Sequence, residues 1–338
     1  MSYSKFLTEM WGKHLAPREA NAPTVISTFA GCGGSSLGYS MAGYKELLAV
    51  EWEDNAVSCF RENFHDVPIV QMDIKTITSD EILKRTKLSP GELDIFDGSP
   101  PCQGFSTTGK RKFEDDRNSL FREYVRLVRE LRPKIIVMEN VSGMVKGKMK
   151  LIFAEILKEL KNCGYSVKAS LLNASYFNVP QARERIFFIG TRNDLNLPVS
   201  FPTVTSNQMS VEYAIQGAPV ITTMAAHKKY FADMSRLAPG QNLANLLKQN
   251  AFFSSSRVHK TKPSQTICKT VSVGGGGMWH FSENRSLSIE ELKRLGSFPD
   301  EFTLLGSYAE QYARIGNSVP PLMMYAIAKH IKEKMLSL

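Results

Sequence analysis

The sequence is poor in the features that mark membrane, secreted and zinc-binding proteins. No apolar run approaches the ~20 residues that a membrane span needs, and the first residues hold no apolar core of a secretory signal. Only five cysteines occur among 338 residues, and no two stand in a CxxC spacing. We therefore expect neither a disulfide framework nor a metal site. These absences favour a cytoplasmic protein in a reducing environment.

The fractions of hydrophobic and charged residues are those of an ordinary globular protein. Hydrophobic residues make up 43% of the chain and charged residues 22%, which excludes a disordered, collagen-like or coiled-coil architecture. There is no internal repeat, and low complexity is limited to Gly274–Gly277. Acidic residues are outnumbered, because 42 Lys and Arg stand against 33 Asp and Glu, a formal net charge of +9. This basic balance is compatible with a polyanionic partner.

Short β-branched runs alternate with amphipathic stretches in the first half of the chain. We predict strands at 24–29, 46–51, 93–97, 134–138, 166–172 and 185–190. Helical patterns follow residue 34 and occupy 55–63, 118–132, 150–164, 288–296 and 320–334. Such alternation is typical of βαβ units, so the predicted fold is α/β with a doubly wound, mostly parallel sheet.

The composition changes after Arg192. Segment 192–284 is rich in proline and loops, and it holds nine Lys and Arg against four Asp and Glu, so it carries +5 of the net charge. We therefore predict a large domain at 1–191 and a smaller, basic domain at 192–300. The remaining segment, 301–338, is predicted to return to the large domain.

A glycine-rich segment, FAGCGG, follows the first predicted strand and opens a helix. Gly31 and Gly33 permit tight turning and close approach of the backbone to a ligand. Glu51 ends the next strand and is suited to a ribose diol, while Trp52 offers a flat face for adenine. Asp73 follows the third apolar run, where it can accept from an exocyclic amine. The pattern predicts an adenosine-containing cofactor, either NAD or S-adenosylmethionine.

The segment GSPPCQGFS places Cys102 directly after the strand at 93–97. Because strand ends face the ligand crevice of a parallel α/β sheet, we predict that Cys102 is a nucleophile. The polar stretch 103–118 is long enough to form a lid. Cys59 and Cys163 lie in helical patterns and are expected to be structural.

Two further motifs carry charge near strand ends. MENV ends the strand at 134–138, and its Glu139 is a second candidate for the crevice. QARER leads into the strand at 185–190, and an extended chain points Gln181, Arg183 and Arg185 to one face. Guanidinium groups on a shared face suit phosphate or carbonyl binding.

These motifs together carry a family resemblance. FAGCGG, the Glu-Trp pair, Asp73, PPCQGFS, ENV, QARER and GNSVPP occur in the order seen in DNA (cytosine-5) methyltransferases. The resemblance runs from about residue 24 to 330, except for 192–257, where that family has a variable target-recognition region. The chain resembles a single-chain bacterial enzyme of the restriction–modification type. The implied fold is the Rossmann-like fold of S-adenosylmethionine-dependent methyltransferases with a loop-rich target-recognition domain.

The resemblance implies a role for each matching residue. Cys102 resembles the nucleophile that adds to C6 of a flipped cytosine, Glu139 the contact to N3 and the amino group, and Arg185 the arginine near O2. Arg183, counted with these three as catalytic, resembles a phosphate or loop partner. The implied S-adenosylmethionine pocket comprises Phe29, Gly31, Gly33, Glu51, Trp52, Asp73, Ile74, Pro101, Leu120 and Asn317. The expected DNA contacts are Gln103, Ser106, Arg117, Gln181, Arg257 and Lys260.

One structural motif departs from the family pattern. Where the family commonly reads Arg-Glu-x-Ala-Arg before its FP pair, this chain reads IEELKRLGSFP. Glu291 and Arg294 are the residues that can supply the equivalent acid and base.

The implied activity is sequence-specific methylation of C5 of cytosine in duplex DNA, with S-adenosylhomocysteine as the second product. A cognate restriction endonuclease, a monomeric state and a cytoplasmic, nucleoid-associated location are expected. Three alternatives remain at this point. A tRNA cytosine-5 methyltransferase shares the catalytic parts, a nicotinamide-dependent oxidoreductase shares the glycine loop, and a catalytically silent DNA-binding protein shares the basic segment.

Overall fold

The computed structural model describes residues 1–101, 120–145, 147, 149–224, 228–249, 252, 254–271 and 277–336. Its strands are β1 Thr24–Thr28, β2 Lys45–Glu51, β3 Ile69–Gln71, β4 Ile95–Gly98, β5 Ile135–Val141, β6 Tyr165–Asn173, β7 Gln181–Ala182, β8 Glu184–Arg192, β9 Ser256–Arg257, β10 Ser264–Gln265 and β11 Met278–Trp279. Its helices are α1 Tyr3–Leu15, α2 Gly34–Met41, α3 Asp54–Asn63, α4 Ser79–Thr86, α5 Leu120–Leu131, α6 Met149–Asn162, α7 Val211–Ile215, α8 Lys228–Arg236, α9 Leu243–Leu247, α10 Ile289–Leu295, α11 Tyr308–Asn317 and α12 Pro321–Ile331.

A seven-stranded sheet forms the centre of the fold, in the order β3-β2-β1-β4-β5-β8-β6. Strand β1 pairs in parallel with β2 and with β4, and the parallel pairing continues to β3 on one side and β5 on the other. Strand β8 runs antiparallel to β5. The predicted α/β fold with a mostly parallel sheet is confirmed, and each predicted strand is present close to its predicted bounds.

Continuous apolar runs explain why the middle strands are central. All residues of β4 are buried, and six of the seven residues of β5 are buried. Helix α5 covers them with Tyr124, Val125 and Val128, which recur at helical spacing and are at most 3% exposed. Full burial of such a side chain contributes about 1.5–3 kcal/mol of hydrophobic free energy. The candidate site lies at the ends of these strands, and the buried core beneath it keeps those ends in place.

The chain divides into two compact units. The sheet unit comprises Ala16–Leu172, Glu184–Thr203 and Met324–Leu338. The second unit comprises Met1–Leu15, Asn173–Arg183 and Val204–Met323. This division differs from the predicted boundaries at 191 and 300. The beginning of the chain and the segment before β8 belong with the second unit.

Tertiary contacts explain this difference. In the second unit, Tyr3 Oη of α1 donates to Asn178 O at 2.9 Å, and Thr8 Oγ1 donates to Glu301 Oε1 at 2.9 Å. Strand β7 pairs in parallel with β10, which lies far along the chain. Contacts between residues so far apart in the sequence have no signature in local composition, so composition alone does not predict this division.

The second unit is built from short elements. Strands β7 and β10 form one two-stranded sheet, and β9 and β11 form another. A small apolar core includes Met234, Leu243 and Trp279, which are each at most 1% exposed. Helix α10 begins with a capping box between Ser288 and Glu291. Hydrogen-bonded caps of this kind stabilise helices that are too short to form alone.

The acid and base expected from the departing motif are both engaged in ion pairs. Glu291 accepts from Arg285 Nη1 at 2.7 Å and from Nη2 at 2.8 Å. Arg294 donates to both carboxylate oxygens of Asp300, at 2.9 and 2.7 Å. Each residue therefore has its own partner, and both side chains are 3% exposed.

The end of the chain lies in the sheet unit. Tyr44 Oη, directly before β2, donates to Ala328 O of α12 at 3.0 Å.

Within the described part of the chain, no helix combines the length and the apolar character that crossing a lipid bilayer requires.

Candidate functional site in the sheet unit

The loop between β1 and α2 has an unusual backbone. Phe29, Gly31 and Gly33 have positive φ angles of 55°, 57° and 98°. A Cβ at Gly33 would lie 2.2 Å from Phe64 Cε2, so only glycine fits. A Cβ at Gly31 would meet no atom within 4 Å. The loop therefore leaves open space beside the backbone of Gly31, directly before a helix N-terminus.

Glu51, at the end of β2, is tied to this loop. Its Oε2 accepts from Gly31 N at 2.8 Å, and its Oε1 accepts from Trp52 N at 2.9 Å and Glu53 N at 3.0 Å. A carboxylate offers about four acceptor positions, so these three bonds fix its orientation and leave capacity for a ligand hydroxyl. Glu51 is 7% exposed, which makes the remaining acceptor position well shielded.

Trp52 and Asp73 complete the predicted adenosine set. The Trp52 side chain is 71% exposed, an unusual position for so large an apolar group. Asp73 is exposed, and its Oδ1 accepts from Lys75 N at 3.0 Å. Ile74 is 5% exposed and supports the base of this loop. These groups fit an adenosine-containing ligand, because a shielded carboxylate, open space at Gly31 and an exposed indole face all follow the ends of neighbouring strands.

The remaining predicted cofactor residues lie in three places. Pro101 follows β4 and is half-buried, and Leu120 is the first residue of α5. Asn317 is exposed and ends α11 in the second unit. Residues 102–119 lie outside the described residues. They include the predicted nucleophile, the lid and three predicted DNA contacts, namely Cys102, 103–118, Gln103, Ser106 and Arg117.

Glu139 and Arg185 form an ion pair on neighbouring strands. Glu139 stands opposite Phe187 in the antiparallel register of β5 and β8, so Arg185 is its diagonal neighbour on the same face. Arg185 Nε lies 2.8 Å from Glu139 Oε1, and the two side chains are 14% and 11% exposed. A charged pair this well shielded interacts more strongly than a surface pair.

Asn140 is a site residue that sequence reasoning missed. Its Nδ2 donates to Pro100 O at 3.0 Å, and its Oδ1 accepts from Val141 N at 2.9 Å. The side chain is 4% exposed. Asn140 therefore fixes the backbone two residues before Cys102 to the end of β5. Its place beside Glu139 in the ENV motif was the available signal.

A buried acidic cluster lies beneath the glycine loop. Tyr39 Oη donates to Asp97 Oδ1 at 3.1 Å, and Ser36 Oγ donates to Glu46 Oε1 at 2.9 Å. Burial raises the pKa of Glu46 to about 7. Burial also raises the pKa of Asp97 well above its usual range, with a further upward contribution from the Glu46 charge. Helix α2, which carries Ser36 and Tyr39, is thus fastened to the sheet by carboxyl groups that favour their neutral forms.

The structure corrects the predicted shared face of QARER. Gln181 and Arg183 lie in the second unit and are each 2% exposed, whereas Arg185 lies in the sheet unit. Arg183 Nη1 donates to Ile267 O at 3.0 Å, and Nη2 donates to Gly316 O at 2.8 Å. The even spacing that predicted one face fails because the backbone leaves β7 at residue 182 and re-enters regular structure only at β8.

Arg257, one of the predicted DNA contacts, is buried. It is 4% exposed, and its guanidinium donates to His280 O at 2.9 Å, Glu283 O at 3.0 Å and Asn284 Oδ1 at 2.7 Å. The same group lies 5.7 Å from the centre of the Trp279 ring. Arg257 therefore holds loop carbonyls together, and its contact with DNA stays a prediction.

Lys260 keeps an exposed position. Its side chain is 51% exposed, and its Nζ lies 3.1 Å from Glu212 Oε1. An exposed ion pair of this kind contributes only about 0–1 kcal/mol to stability.

Comparison with known proteins places the chain in a family. Residues 23–333 match the family described as C-5 cytosine-specific DNA methylase. The type II methyltransferase M1.HphI of Haemophilus parahaemolyticus is 36% identical, over 91% of this chain and 86% of its own length. The type II methyltransferase M.NgoFVII of Neisseria gonorrhoeae is 33% identical, over 92% of this chain and 87% of its own length.

A solved structure shows the same fold. A DNA modification methyltransferase encoded within a prophage of E. coli superposes with a TM-score of 0.78 at 24% sequence identity, over 94% of this chain and 100% of that chain. The chain therefore belongs to the C-5 cytosine-specific DNA methylase family. Its enzyme class is DNA cytosine-5 methyltransferase, and its relatives are methyltransferases of type II restriction–modification systems.

Proposed function

We propose that the chain transfers a methyl group from S-adenosylmethionine to C5 of a cytosine flipped out of duplex DNA, through a covalent bond between Cys102 and C6. The observation that carries this proposal is the shielded Glu139–Arg185 pair, with Nε and Oε1 2.8 Å apart. A cytosine placed against this pair has a carboxyl group for its N3 and amino edge and a guanidinium group for O2. Both groups are needed because C5 alone is too weak a nucleophile to take a methyl group.

The thiolate of Cys102 starts the proposed reaction. Its sulfur forms a bond to C6, and the C5–C6 π electrons move into the ring, where C5 becomes a carbon nucleophile. C5 then forms a bond to the methyl group, whose bond to the sulfonium sulfur breaks and leaves its electron pair on that sulfur, as in S-adenosylhomocysteine. A base removes the C5 proton, the C6–sulfur bond breaks, and its electrons return to the thiolate as the ring is restored. Cysteine suits this role because its thiolate is intrinsically very nucleophilic.

Glu139 and Arg185 stabilise the charge that addition places in the ring. The guanidinium donates to O2, where negative charge develops; the carboxyl group accepts from the amino group and, in its protonated form, donates to N3. Their mutual ion pair fixes both groups before the base arrives, so little reorganisation is needed during reaction. Arg183, whose donors are taken by backbone carbonyls, is not part of this set.

Asn140 supports the position of Cys102. The bond from its Nδ2 to Pro100 O, 3.0 Å long, fixes the start of the PPCQ segment beside Glu139. The segment therefore leaves β4 at a defined place, which favours a nucleophile aimed at the same base that Glu139 and Arg185 hold.

The residues proposed to hold the cofactor are Phe29, Gly31, Gly33, Glu51, Trp52, Asp73, Ile74, Pro101, Leu120 and Asn317. Glu51 is the acceptor for the ribose hydroxyls, since three backbone donors already orient its carboxylate. Trp52, whose side chain is 71% exposed, offers the adenine a stacking face. When bound, S-adenosylmethionine supplies an electrophilic methyl group on a sulfonium.

The DNA-binding part of the proposal rests on charge. Segment 192–284 carries +5 of the net charge of +9, and Lys260 is exposed within it. A base inside a stacked duplex cannot be reached, so the proposed chemistry requires base flipping.

The names of the relatives favour the modification half of a restriction–modification system, with a cognate endonuclease as partner. A monomer working at the nucleoid, in the cytoplasm, completes the proposal.

Methyl transfer to nucleic acid tests the proposal against its rival, methylation of tRNA. Labelled S-adenosylmethionine is incubated with unmethylated genomic DNA or with bulk tRNA, and bisulfite sequencing locates the product. We expect label at C5 of cytosine in one short DNA sequence. Label in tRNA alone would favour the rival, and the type II methyltransferase names of the relatives argue against that outcome.

A further inference from the structure

The segment Ser264–Val271, here called the tethered segment, is held on both sides in the second unit. Its start, β10, pairs with β7, and Thr266 Oγ1 donates to Ala182 O at 3.2 Å. Ile267 N donates to Gln181 Oε1 at 3.1 Å, and Ile267 O accepts from Arg183 Nη1 at 3.0 Å. Two side chains of QARER thus satisfy both backbone groups of Ile267.

The opposite side of the tethered segment is closed by α11. A Cβ at Gly316 would lie 2.0 Å from Cys268 O and 2.5 Å from Cys268 C, so the two backbones are in direct contact. Arg183 Nη2 donates to Gly316 O at 2.8 Å. One planar guanidinium therefore bonds a carbonyl on each of the two backbones and fixes their separation, a geometry that lysine does not reproduce.

The exposed end of the tethered segment is basic. The tethered segment holds Lys269 and no acidic residue, and Lys260 and Lys262 precede it, whereas Arg257 is buried and adds nothing to this exposed charge. Lys269 and Thr270 are exposed, whereas Ser264 and Ile267 are fully buried. Exposed positive charge at the end of a segment that is held in place is suited to binding the phosphates of a nucleic acid.

We propose that Arg183 is a positioning residue for DNA, which holds the tethered segment against Gly316 so that Lys269 and Thr270 meet the duplex in a fixed register. This inference rests on the proposed DNA substrate. It differs from the role assigned to Arg185, which contacts the reacting base. Arg183 acts through the backbone of Ile267 and Gly316, so its loss changes recognition of the site more than the chemical step.

Four variants test the proposal. Arg183→Lys keeps the charge but loses the planar two-way donor, and Gly316→Ala pushes the Cys268 carbonyl from the other side. Arg185→Lys affects the proposed chemistry. Arg285→Lys is the matched control, because Arg285 lies in the same unit and directs its bonds to Glu283, Glu291 and Ser286 O.

The first measurement is amide hydrogen exchange, which does not depend on activity. We expect the tethered segment to exchange at least ~10-fold faster in Arg183→Lys and Gly316→Ala, because its local opening becomes easier. Arg285→Lys should leave its exchange unchanged. Equal exchange in the wild type and both test variants would overturn the proposal, even if the proposed methyl transfer fails.

The second measurement is steady-state kinetics on the site found by bisulfite sequencing and on duplexes with one base pair changed. For Arg183→Lys and Gly316→Ala we expect KM for DNA to rise ~10-fold and discrimination against the changed duplexes to fall ~10-fold, with kcat within ~3-fold of wild type. Arg185→Lys should mainly lower kcat. A fall in kcat with unchanged KM and discrimination in Arg183→Lys would overturn the proposal, as would an equal loss of discrimination in Arg285→Lys.

Discussion

Arg185 Nε and Glu139 Oε1 lie 2.8 Å apart across the antiparallel pairing of β8 and β5. Each residue comes from a different motif, ENV and QARER, and each lies near one end of its strand, next to a buried apolar run. Since neither side chain is more than 14% exposed, the pair is shielded from solvent. The proposed mechanism needs a donor and a carboxyl group at one edge of a cytosine, and we propose that this pair supplies both.

Removing the guanidinium should damage the chemical step. For Arg185→Ala we expect kcat to fall by about 10²–10³, the usual loss for one preorganised donor to a developing charge. Arg122→Ala is the control, because Arg122 forms an exposed ion pair with Glu155 in the same unit. Single-turnover methylation of DNA measures the step. A kcat within a few-fold of wild type for Arg185→Ala would contradict the assigned role.

Trp52→Ala should weaken cofactor binding at little cost in stability. The side chain is 71% exposed, so its removal leaves no cavity, but the adenine loses its stacking face. We expect the Kd for S-adenosylhomocysteine to rise at least ~10-fold, in line with ~1–3 kcal/mol for one base stacked on an aromatic side chain. Calorimetric titration measures the Kd. Leu151→Ala, also highly exposed, should leave it unchanged. An unchanged Kd in Trp52→Ala would remove Trp52 from the pocket.

Two glycine substitutions in one loop should separate stability from binding. Gly31→Ala and Gly33→Ala each place a side chain at positive φ, which costs about 1 kcal/mol or more. Gly33→Ala also drives a methyl group into the Phe64 ring, at 2.2 Å. We therefore expect the thermal midpoint to fall several degrees further in Gly33→Ala. Gly31→Ala should keep more stability but lose cofactor affinity, because its methyl group enters open space beside Glu51. Equal midpoints would refute the packing argument.

The stability of the sheet unit should depend on pH through Glu46. Burial raises the pKa of Glu46 to about 7, from an ordinary value of 4.5. Between pH 4.5 and about 7, Glu46 holds a proton in the folded chain that it releases in the unfolded chain. This stabilisation is therefore fully present below pH 4.5 and is lost as the pH rises through about 7.

Glu46→Gln removes this proton and keeps the neutral shape of the side chain. Between pH 5.5 and 8 we expect the free energy of unfolding of the wild type to fall by about 2 kcal/mol more than that of Glu46→Gln. Urea unfolding at the two pH values measures the difference, which includes the change in Asp97 that follows the loss of the Glu46 charge. Parallel pH dependence in the two proteins would show that Glu46 does not titrate in this window.

The sheet could be predicted from the sequence because its strands are encoded locally. Runs such as KIIVM and RIFFIG are apolar, β-branched and bounded by polar residues, so their type and rough bounds follow from composition alone. The end of each strand then places Glu51 and Glu139 at one edge of a parallel sheet. The acidic and glycine residues of the candidate site were therefore accessible to sequence reasoning.

The surroundings of the arginines could not be predicted in this way. Arg183, Arg185 and Arg257 look alike in a sequence, yet Arg183 and Arg257 are 2% and 4% exposed and bond backbone carbonyls. Which arginine is buried depends on partners far along the chain, such as Gly316 for Arg183. The position of α1 in the second unit has the same cause, since its contacts reach Asn178 and Glu301.

The covalent bond between Cys102 and C6 of cytosine can be trapped with a fluorinated substrate. A long duplex synthesised with 5-fluorocytosine contains every short site, and fluorine at C5 cannot leave as the proton does, so the bond to C6 persists. With S-adenosylmethionine present, we expect a denaturant-stable complex that peptide mapping locates at Cys102. Cys102→Ala should form none, and Arg185→Ala should form it ~10²-fold more slowly. A stable complex in Cys102→Ala, or methylation of C5 by that variant, would contradict the account.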